Sequence, residues 1–389
     1  MKRYLYLAIL LMVLIPVSCQ GAGKKRVIVG AERTDVYVPL LKGKRIAILS
    51  NQTGILPDGS HSLDLMLRKG LDVELIYSPE HGFRGTADAG EVVNSSVDEA
   101  TGIRIHSLYG SKEPVDLTDI DVVVVDIQDV GLRFYTYYVT MLKLMNKAIE
   151  YGKEFVIFDR PNPNGMYVDG PVLDMKYKSG VGGLPIPVVH GMTLGELATM
   201  ANAEGWLQDG KKMPSLTVVK CRNYKHSTRY TLQVAPSPNL PNMKSVYLYP
   251  SLCYFEATPV SLGRGTDKPF QIYGHPGMTG DFDFTPTSRF GAKEPPQKDR
   301  LCHGRDLSGL TDDEIIGKGI DLSYLIDAYN QVGRENPKFF RSFFELLIGD
   351  GDIRAMIEGG ATADEIKATW AEDVAAFKEK RKPYLLYAE

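Results

Sequence analysis

"DVVVVDIQ", residues 121–128, is the most informative stretch of the sequence for the architecture. Four consecutive valines leave no polar position for a solvent face, which indicates a strand buried on both sides. Such strands are typical of parallel sheets, whose two faces are covered by helices. The segment "YYVTMLKLMNKAIEYG" (137–152) follows soon after and has the pattern of an amphipathic helix. Together the two segments predict one strand and one covering helix of an α/β domain.

The same alternation of strand and helix extends on both sides of this stretch. Further strands are predicted at "RIAILS" (45–50), "DVELIYS" (72–78), "GIRIHSLY" (102–109) and "EFVIFDR" (154–160). Helices are predicted at "SHSLDLMLRKG" (60–70), capped by Ser60 or Ser62, and at "TLGELATMANAEGW" (193–206), where Thr193 and Glu196 have capping-box spacing. This order predicts a doubly wound α/β domain with a mostly parallel sheet over residues 26–207.

The composition changes after about residue 208. Residues 208–305 are rich in Pro, Gly and Tyr and contain short β-like runs: "SLTVVKC", "SVYLYPSLCYFEAT" and "PFQIYG". Residues 311–389 return to helical patterns. We therefore predict a second, α+β domain over residues 208–389.

The N-terminal stretch "MKRYLYLAILLMVLIPVSCQG" has the features of an export signal. Lys2 and Arg3 precede a short apolar run, and a small residue precedes Cys19. This pattern resembles a bacterial lipoprotein signal over residues 1–19, in which Cys19 is lipidated. The expectation is an exported, membrane-anchored lipoprotein on the periplasmic or cell-surface side. Plain secretion and a retained membrane anchor remain as alternatives.

Composition and missing motifs exclude several classes of function. A net charge of −3 with mixed signs gives no basic stripe, so no nucleic-acid partner is expected. Cys221, Cys253 and Cys302 form no C-x-x-C pair, which predicts buried thiols with at most one bridge. The chain lacks a dinucleotide-binding G-x-G-x-x-G after its first strand, a complete phosphate loop and a G-x-S-x-G elbow. We predict no cofactor and no metal.

Three polar loops follow predicted parallel strands directly. "SPEHGFRG" (78–85), "DIQDVGLRFYTY" (126–137) and "DRPNPNG" (159–165) come after the second, fourth and fifth strands. Because ligands of open α/β sheets bind outside the carboxyl ends of the strands, these loops are expected to line one crevice. One such loop alone could be a simple turn, but three together indicate a functional site.

The candidate site residues are acids, arginines, amides and aromatics on these loops and on polar loops further along. Glu80 lies on a short, stiff segment, and Asp169 and Glu256 supply further carboxyl groups. Arginine binds carboxylates bidentately and aromatic rings stack on sugars, so this inventory suits glycoside hydrolysis. Structural roles also stay open, such as an ion pair of Asp159 with Arg160. The predicted substrate-binding residues are His81, Arg84, Gln128, Asp129, Arg133, Tyr135, Arg160, Asn162, His190, Asn239 and Arg264.

Seven motifs in order resemble those of the NamZ-type exo-β-N-acetylmuramidases, glycoside hydrolase family 171. They are "SPEHGFRG", "DIQDVGLRFYTY", "DRPNPNG…VDGPVL", "PVVHGMTLGELA", "PSPNLPN", "YPSLCYFEAT" and "GRGTDKPF". The resemblance covers residues 27–389. It implies a Rossmann-like N-terminal domain and a smaller C-terminal domain that closes the cleft in which the site lies. It also implies release of N-acetylmuramic acid from non-reducing ends of peptidoglycan fragments. The family's proposed catalytic glutamate falls on Glu80, and its second acid falls on the shorter Asp169. Leu262 replaces a glutamate of the family pattern.

The resulting hypothesis makes Glu80 the general acid, its proton held by partial burial in the cleft. Asp169 or Glu256 would assist a water, or the substrate's acetamido group would participate directly. Arg133, Arg160 or Arg264 would pair with the lactyl carboxylate that distinguishes muramic acid from glucosamine. The alternatives are a non-catalytic lipoprotein that binds muropeptides and, disfavoured by the missing motifs, an esterase or deacetylase.

Overall fold

The computed structural model describes residues 25–80, 82–83, 96–109 and 113–389. Within these residues the large sheet has seven strands in the order β3-β4-β2-β1-β5-β6-β7. All neighbouring strands are parallel except β3 and β4, so the predicted mostly parallel α/β sheet is confirmed. The strands are β1 Arg45–Ser50, β2 Asp72–Ser78, β3 Ser96–Val97, β4 Arg104–Ser107, β5 Val122–Asp126, β6 Glu154–Phe158 and β7 Leu216–Val219.

Strand β5 lies between β1 and β6, and all of its residues are buried. Val123 and Val125 point into one apolar cluster and Val122 and Val124 into another, as the alternation of side chains along a strand requires. The run of valines therefore belongs to a strand covered on both faces. The helices of this first part are α1 Thr34–Leu41, α2 Ser62–Arg68, α3 Tyr137–Tyr151 and α4 Leu194–Ala203.

Helix ends follow local capping chemistry, with one correction to the sequence prediction. The Thr193 hydroxyl accepts a hydrogen bond from the Glu196 amide, which confirms the predicted capping box of α4. Helix α2 is capped by neither predicted serine. Instead the His61 side chain accepts a hydrogen bond from the Leu63 amide at 3.1 Å. An imidazole nitrogen can take the place of the usual hydroxyl acceptor because both bind a free amide of the first turn.

The second part of the chain combines a small antiparallel sheet with short helices, as predicted. In the described residues its sheet has the order β8-β10-β9, with β8 Ile272–His275, β9 Phe282–Phe284 and β10 Cys302–Asp306. Its helices are α5 Met243–Leu252, α6 Asp312–Lys318, α7 Ser323–Ala328, α8 Phe343–Ile348, α9 Ile353–Glu358, α10 Ala363–Thr369 and α11 Ala371–Arg381. A π-helical turn spans Tyr329–Gly333, and 3₁₀ turns span Gly30–Glu32, Met175–Tyr177, Gln208–Gly210, Cys253–Ala257 and Lys382–Tyr384.

The β-like interpretation of "SVYLYPSLCYFEAT" is wrong, because this segment forms α5 and the 3₁₀ turn that follows it. Asn242 caps the helix by accepting a hydrogen bond from the Ser245 amide at 3.0 Å. Every residue from Ser245 to Leu252 is buried. A helix that is buried all round has no polar face, so its sequence shows no helical periodicity to distinguish it from a strand.

The two parts of the chain share a continuous core. Strand β7 lies beyond residue 207, the predicted end of the first domain, yet it pairs with β6 in the large sheet. One apolar cluster runs from Ala47 in β1 to Phe377 in α11. Cys221, Cys253 and Cys302 are buried and unbridged. No helix among the described residues has the length and apolar character needed to cross a membrane.

Candidate active site

A cavity of about 370 Å³ opens at the carboxyl edge of the large sheet, within the size range of small-molecule sites. Both parts of the chain line it. The first part contributes residues that follow β2, β4, β5 and β6, and the second part contributes residues of α5, α8 and the loops near them. The lining residues are Glu80, Tyr109, Phe134, Tyr135, Thr136, Tyr137, Gly180, Val181, Ser237, Tyr249, Glu256, Arg264 and Phe343.

Glu80 follows the end of β2 by two residues, where the strand delivers it to the cavity wall. The Thr136 hydroxyl, at the start of α3, donates to Glu80 Oε2 at 3.4 Å. Tyr109 follows β4 in the same way. Burial raises the pKa of the Tyr109 hydroxyl, and the Glu80 carboxylate beside it adds to this effect. The phenol therefore stays protonated, and it can serve as a hydrogen-bond donor next to Glu80.

Tyr135 and Tyr137 form an aromatic wall that is fixed by one backbone carbonyl. Their hydroxyls donate to the Pro236 carbonyl at 2.8 and 3.0 Å. The Asn51 amide, directly after β1, donates to the Tyr137 hydroxyl at 2.8 Å. The chain of bonds thus ties the edge of the large sheet to the proline-rich loop that carries Ser237. It holds the rings in place before any ligand binds.

Glu256 and Arg264, which also line the cavity, form an ion pair. Arg264 Nη2 lies 2.5 Å from Glu256 Oε1, and each side chain is about a fifth exposed (21% and 24%). Burial opposes the charge of Arg264, but the Glu256 carboxylate outweighs it and raises the pKa of the guanidinium. The guanidinium also lies 5.3 Å from the centre of the Phe270 ring. The cavity therefore contains two carboxyl groups, Glu80 and Glu256, and a permanently charged arginine.

Arg133 does not reach the cavity, although its neighbours do. It is fully buried, and its Nη1 and Nη2 atoms donate to four backbone carbonyls, those of Pro171, Ile186, Leu347 and Ile348, at 2.6–3.0 Å. Burial lowers the pKa of the guanidinium to about 10. The predicted sugar or anion contact is therefore corrected to a structural one, since these bonds leave Arg133 facing protein instead of a ligand.

Arg160 is paired with Asp126 and not with its neighbour Asp159. Its Nε and Nη2 atoms donate to the two Asp126 oxygens at 2.6 and 3.0 Å in a buried bidentate pair. Burial works against the Arg160 charge, but Asp126 outweighs it and raises the pKa of the guanidinium. Asp159 instead accepts hydrogen bonds from Thr193, Gly195 and Tyr387. The alternative of an ion pair between Asp159 and Arg160 is thus wrong. Arg160 instead links the end of β5, at Asp126, to the residues that follow β6.

Asp169 also lies away from the cavity lining. Its Oδ1 accepts hydrogen bonds from the Gly170 amide and Trp370 Nε1 at 2.8 and 2.9 Å. Its Oδ2 accepts one from the Ile320 amide at 2.8 Å and pairs with Lys367 at 2.9 Å. This carboxylate joins the first part of the chain to α10 and its surroundings. Its placement favours a structural role over direct catalysis.

The remaining residues predicted to bind substrate instead form hydrogen bonds with the protein backbone. Gln128 Nε2 donates to the carbonyls of Asp129 and Pro161, and Asn162 Nδ2 donates to the Met192 carbonyl. Asp129 is buried, its Oδ1 accepts a hydrogen bond from the Gly131 amide at 2.7 Å, and burial raises the pKa of its carboxyl group to about 7.

His190 and Asn239 likewise contact protein. His190 Nδ1 accepts a hydrogen bond from the Met192 amide, and burial lowers the pKa of the imidazole to about 3. Asn239 Nδ2 donates to the Gly291 carbonyl at 2.7 Å. His81 and Arg84 lie outside the described residues.

The structure thus brings together Glu80, Tyr135, Glu256 and Arg264 of the predicted site. It adds residues that the sequence did not single out, of which Tyr109 and Phe343 are the clearest. Tyr109 follows β4, so the rule that ligands bind at the carboxyl ends of strands could have found it. Phe343 begins α8 in an aromatic-rich helical stretch, and nothing in the pattern separates it from the core phenylalanines around it.

The arrangement suits hydrolysis of a glycosidic bond. Two carboxyl groups, aromatic walls and an arginine are the parts that glycoside hydrolysis uses. Among the described residues, no group of three or more His, Cys, Asp or Glu side chains is placed to hold a metal ion.

Comparisons with known proteins place the chain in a family. Residues 46–244 match the family described as "Exo-beta-N-acetylmuramidase NamZ, N-terminal", and residues 247–387 match its C-terminal counterpart. The chain is 37% identical over 380 residues to the peptidoglycan β-N-acetylmuramidase NamZ of Bacillus subtilis (strain 168). That alignment covers 90% of this chain and 89% of the relative.

Two crystal structures from Bacteroides fragilis NCTC 9343, both of DUF1343 family proteins, share the fold. One is 58% identical with a TM-score of 0.88, covering 94% of this chain and 100% of the other. The second is 29% identical with a TM-score of 0.76, covering 93% and 99%. The architecture therefore recurs over nearly the whole length of each chain.

Proposed function

The chain belongs to the NamZ family of exo-β-N-acetylmuramidases, and from this premise we propose that it is a peptidoglycan-processing glycosidase. It releases N-acetylmuramic acid from the non-reducing ends of peptidoglycan fragments. The observation that carries the proposal is the cavity in which Glu80 and Glu256 face one space lined by aromatic rings. A volume of about 370 Å³ fits one terminal sugar, which suits removal from a chain end.

Glu80 is the proposed general acid. It lies on a rigid strand end with Thr136 donating to its Oε2, so its carboxyl group is aimed into the cavity. In the first step it gives its proton to the glycosidic oxygen, and the bond from that oxygen to the anomeric carbon breaks. The departing sugar leaves as an alcohol while positive charge develops on the terminal ring.

Glu256 is the proposed second carboxylate, in preference to Asp169. Glu256 lines the same cavity and forms an ion pair with Arg264. Asp169 instead binds Trp370, Lys367 and backbone amides. Glu256 either removes a proton from the attacking water or steadies the positive charge on the ring. The acetamido group of the substrate can serve as the internal nucleophile in the second case.

Arg264 is the proposed reader of the lactyl carboxylate. Of the three arginines considered for this task, Arg133 and Arg160 are saturated by carbonyls and by Asp126, and only Arg264 lines the cavity. Its guanidinium has five N–H donors, so donors remain beside the one given to Glu256 at Nη2. Replacement of Arg264 by Gln should weaken turnover of muramyl glycosides far more than that of glucosaminyl ones. Equal losses on both would remove Arg264 from this role.

A direct assay tests the proposed activity. The purified protein is incubated with a chromogenic β-glycoside of N-acetylmuramic acid, and both the sugar and the aglycone are measured. The wild type should release both in equal amounts, and Glu80→Gln should lower kcat by at least about 10³-fold while the melting temperature is kept. Glu99→Gln, at an exposed position among the described residues, is the matched control and should leave turnover unchanged. Normal turnover by Glu80→Gln would remove Glu80 from the mechanism.

The alternative of a non-catalytic muropeptide-binding protein is not favoured by the family membership. The same assay addresses it, because binding without release of sugar is the result that a binding protein would give.

We further propose that the protein is exported and anchored in a membrane through lipid on Cys19. The support is the sequence pattern of residues 1–19, which lie outside the described residues. Cells fed an alkyne-tagged palmitate should incorporate the tag into the wild-type protein and not into a Cys19→Ser variant. Equal labelling of the two would refute lipidation at this residue.

A further inference from the structure

Phe290 is the most exposed large apolar residue in the described chain, with 65% of its surface accessible. It occupies the tip of a tight hairpin in which Arg289 and Ala292 exchange both backbone hydrogen bonds, at 3.1 and 2.9 Å. Gly291, beside it, has a φ of +81°, which this two-residue turn requires and glycine adopts without strain. The turn leaves the phenylalanine ring pointing away from the hairpin.

The hairpin is fastened to the wall of the cavity on two sides. Asn239 Nδ2 donates to the Gly291 carbonyl at 2.7 Å, and Asn239 lies two residues after Ser237 of the cavity lining. A Cβ added to Gly291 would lie 2.6 Å from Pro238 Cβ, so the tip lies directly on this loop.

The second attachment is to the loop that carries Arg264. The Thr287 amide donates to the Gly265 carbonyl at 2.9 Å, and Gly265 follows Arg264 of the cavity lining. Arg289 pairs with Asp267 on the same loop. Phe290 is thus held beside the cavity by bonds to both the Ser237 loop and the Arg264 loop. The side chain of Phe290 is therefore exposed while the backbone that carries it is held by hydrogen bonds.

Other exposed apolar side chains lack this placement. In the described part of the chain, the other exposed large apolar residues are Leu40, Val97, Tyr151, Met175 and Leu301. Only Tyr151 among these carries a ring. It ends α3, whose first residue lines the cavity, so it lies roughly 21 Å away along the helix. Among the exposed large apolar residues of the described chain, Phe290 is therefore the one whose ring is held beside the cavity.

We propose that Phe290 is a stacking platform for the second sugar ring of the substrate, the pyranose that carries the leaving oxygen. This inference rests on the proposed function. A cavity sized for the terminal residue leaves the rest of the glycan outside, where it must cross the edge. The C–H face of a pyranose buries apolar area against a flat aromatic ring and needs no hydrogen-bond partner there. Phe290 would then determine preference for substrates longer than one sugar.

The test compares two substrates that differ only in the leaving group. One is the disaccharide in which β-linked N-acetylmuramic acid is followed by N-acetylglucosamine, and the other is methyl β-N-acetylmuramide, which has no second ring. Phe290→Ala should raise KM for the disaccharide about five- to tenfold. Its kcat should change less than twofold, since the contact is present in both the bound and the transition state. Kinetics on the methyl glycoside should be unchanged.

Two variants control this comparison. Phe290→Trp should restore the disaccharide KM, because it keeps a flat ring at the tip. Tyr151→Ala removes an exposed ring far from the cavity and should have no effect on either substrate.

Each remaining outcome has a defined meaning. A disaccharide KM unchanged in Phe290→Ala overturns the platform. Equal losses on both substrates overturn it too, since they would show that the ring supports the cavity itself. If the wild type releases muramic acid from neither substrate, the proposed function is refuted. If the wild type turns over both substrates and Phe290→Ala behaves like it, only the proposed role of Phe290 is refuted.

Discussion

Asp169 illustrates how a carboxylate at a promising position can serve structure. It accepts hydrogen bonds from two backbone amides and an indole and pairs with Lys367, and these partners come from distant parts of the chain. An exposed catalytic acid would keep lone pairs free for substrate, and the contacts of Asp169 use them on protein. Glu80 and Glu256 show the opposite placement, with their carboxyl groups in the cavity wall.

Replacing Asp169 by Asn should therefore lower stability with little effect on chemistry. An amide cannot pair with Lys367, and its N–H₂ group would face a donor. We expect the free energy of unfolding to fall by about 2–4 kcal/mol, measured by urea denaturation. At a temperature where the variant stays folded, kcat/KM should remain within about threefold of wild type. A stable variant that has lost activity would return Asp169 to the catalytic set.

Asp129 should make stability depend on pH. Burial raises the pKa of its carboxyl group to about 7, above the ordinary value of 3.8, and its Oδ2 has no hydrogen-bond partner. The folded state thus binds a proton that the unfolded state has released, so stability is greatest below pH 4 for this group and falls as pH rises to 7. Asp129→Asn should flatten this fall in urea denaturation series from pH 4 to 8. An unchanged slope would assign the pH dependence to other groups.

At the residue level, the sequence predicts which kinds of residue line the site better than it predicts which way each side chain points. Of the three loops predicted to line one crevice, residues 78–85 contribute Glu80 to the cavity and residues 126–137 contribute Tyr135, but no residue of 159–165 lines it. Glu256 and Arg264 line the same cavity. Arg133 and Arg160 were plausible ligands by type, but each is buried against protein acceptors. A loop sequence does not reveal which way each side chain turns, because that depends on partners such as the Leu347 carbonyl more than 200 positions away.

At the scale of elements, strands were predictable where local pattern and environment agree. The predicted "RIAILS" and "DVELIYS" coincide with β1 and β2, because short apolar runs bounded by turns belong to buried parallel strands. The helix α5 was missed since it is buried all round, and β7 was assigned to the wrong side of the domain boundary because its pairing with β6 is a long-range contact.

The C-terminal segment after α11 acts as an element in its own right. The Leu386 amide donates to Glu196 Oε1 at 2.7 Å, the Ala388 carbonyl accepts from the His226 amide at 2.8 Å, and the Tyr387 hydroxyl donates to Asp159 Oδ2 at 2.7 Å. The end of the second part is thereby bound at the carboxyl end of β6, next to the start of α4.

Tyr387→Phe should loosen this attachment. It removes the donor to buried Asp159 and the acceptor of the Cys221 amide, at an expected cost of about 1–3 kcal/mol. Burial already raises the pKa of Asp159 to about 6, and the Tyr387 hydroxyl opposes that rise. Without it the pKa should climb further, so stability should fall more steeply between pH 4 and 7.

Tyr384→Phe is the matched control for the C-terminal segment. The Tyr384 hydroxyl donates to the more exposed Glu204 at 2.7 Å, so its loss should cost well under 1 kcal/mol and leave the pH slope unchanged. Chemical denaturation at several pH values measures both variants. Identical behaviour of the two would show that burial of Asp159 does not set the effect.

At the scale of the whole molecule, the cavity and the hydrophobic core share one property, which is that residues from both parts of the chain form them. Both are assembled from the two parts of the chain, the cavity from loops at the edge of the large sheet and from α5 and α8, the core from a single apolar cluster. Arg133 lies where the two parts of the chain meet. It donates hydrogen bonds to the carbonyls of Pro171 and Ile186 in the first part and to those of Leu347 and Ile348 in the second. A site built in this way is complete only when both parts are packed together.

The two parts should therefore unfold together, and calorimetry should show one transition whose van 't Hoff and calorimetric enthalpies agree. Arg133→Met keeps much of the volume but leaves four buried carbonyls without their donor, so the melting temperature should fall sharply and still in one step. Chromogenic turnover followed during heating should disappear with that same transition, because the cavity needs both parts. Two resolved transitions, or activity surviving the first, would show instead that the parts fold independently and that Arg133 is a local brace.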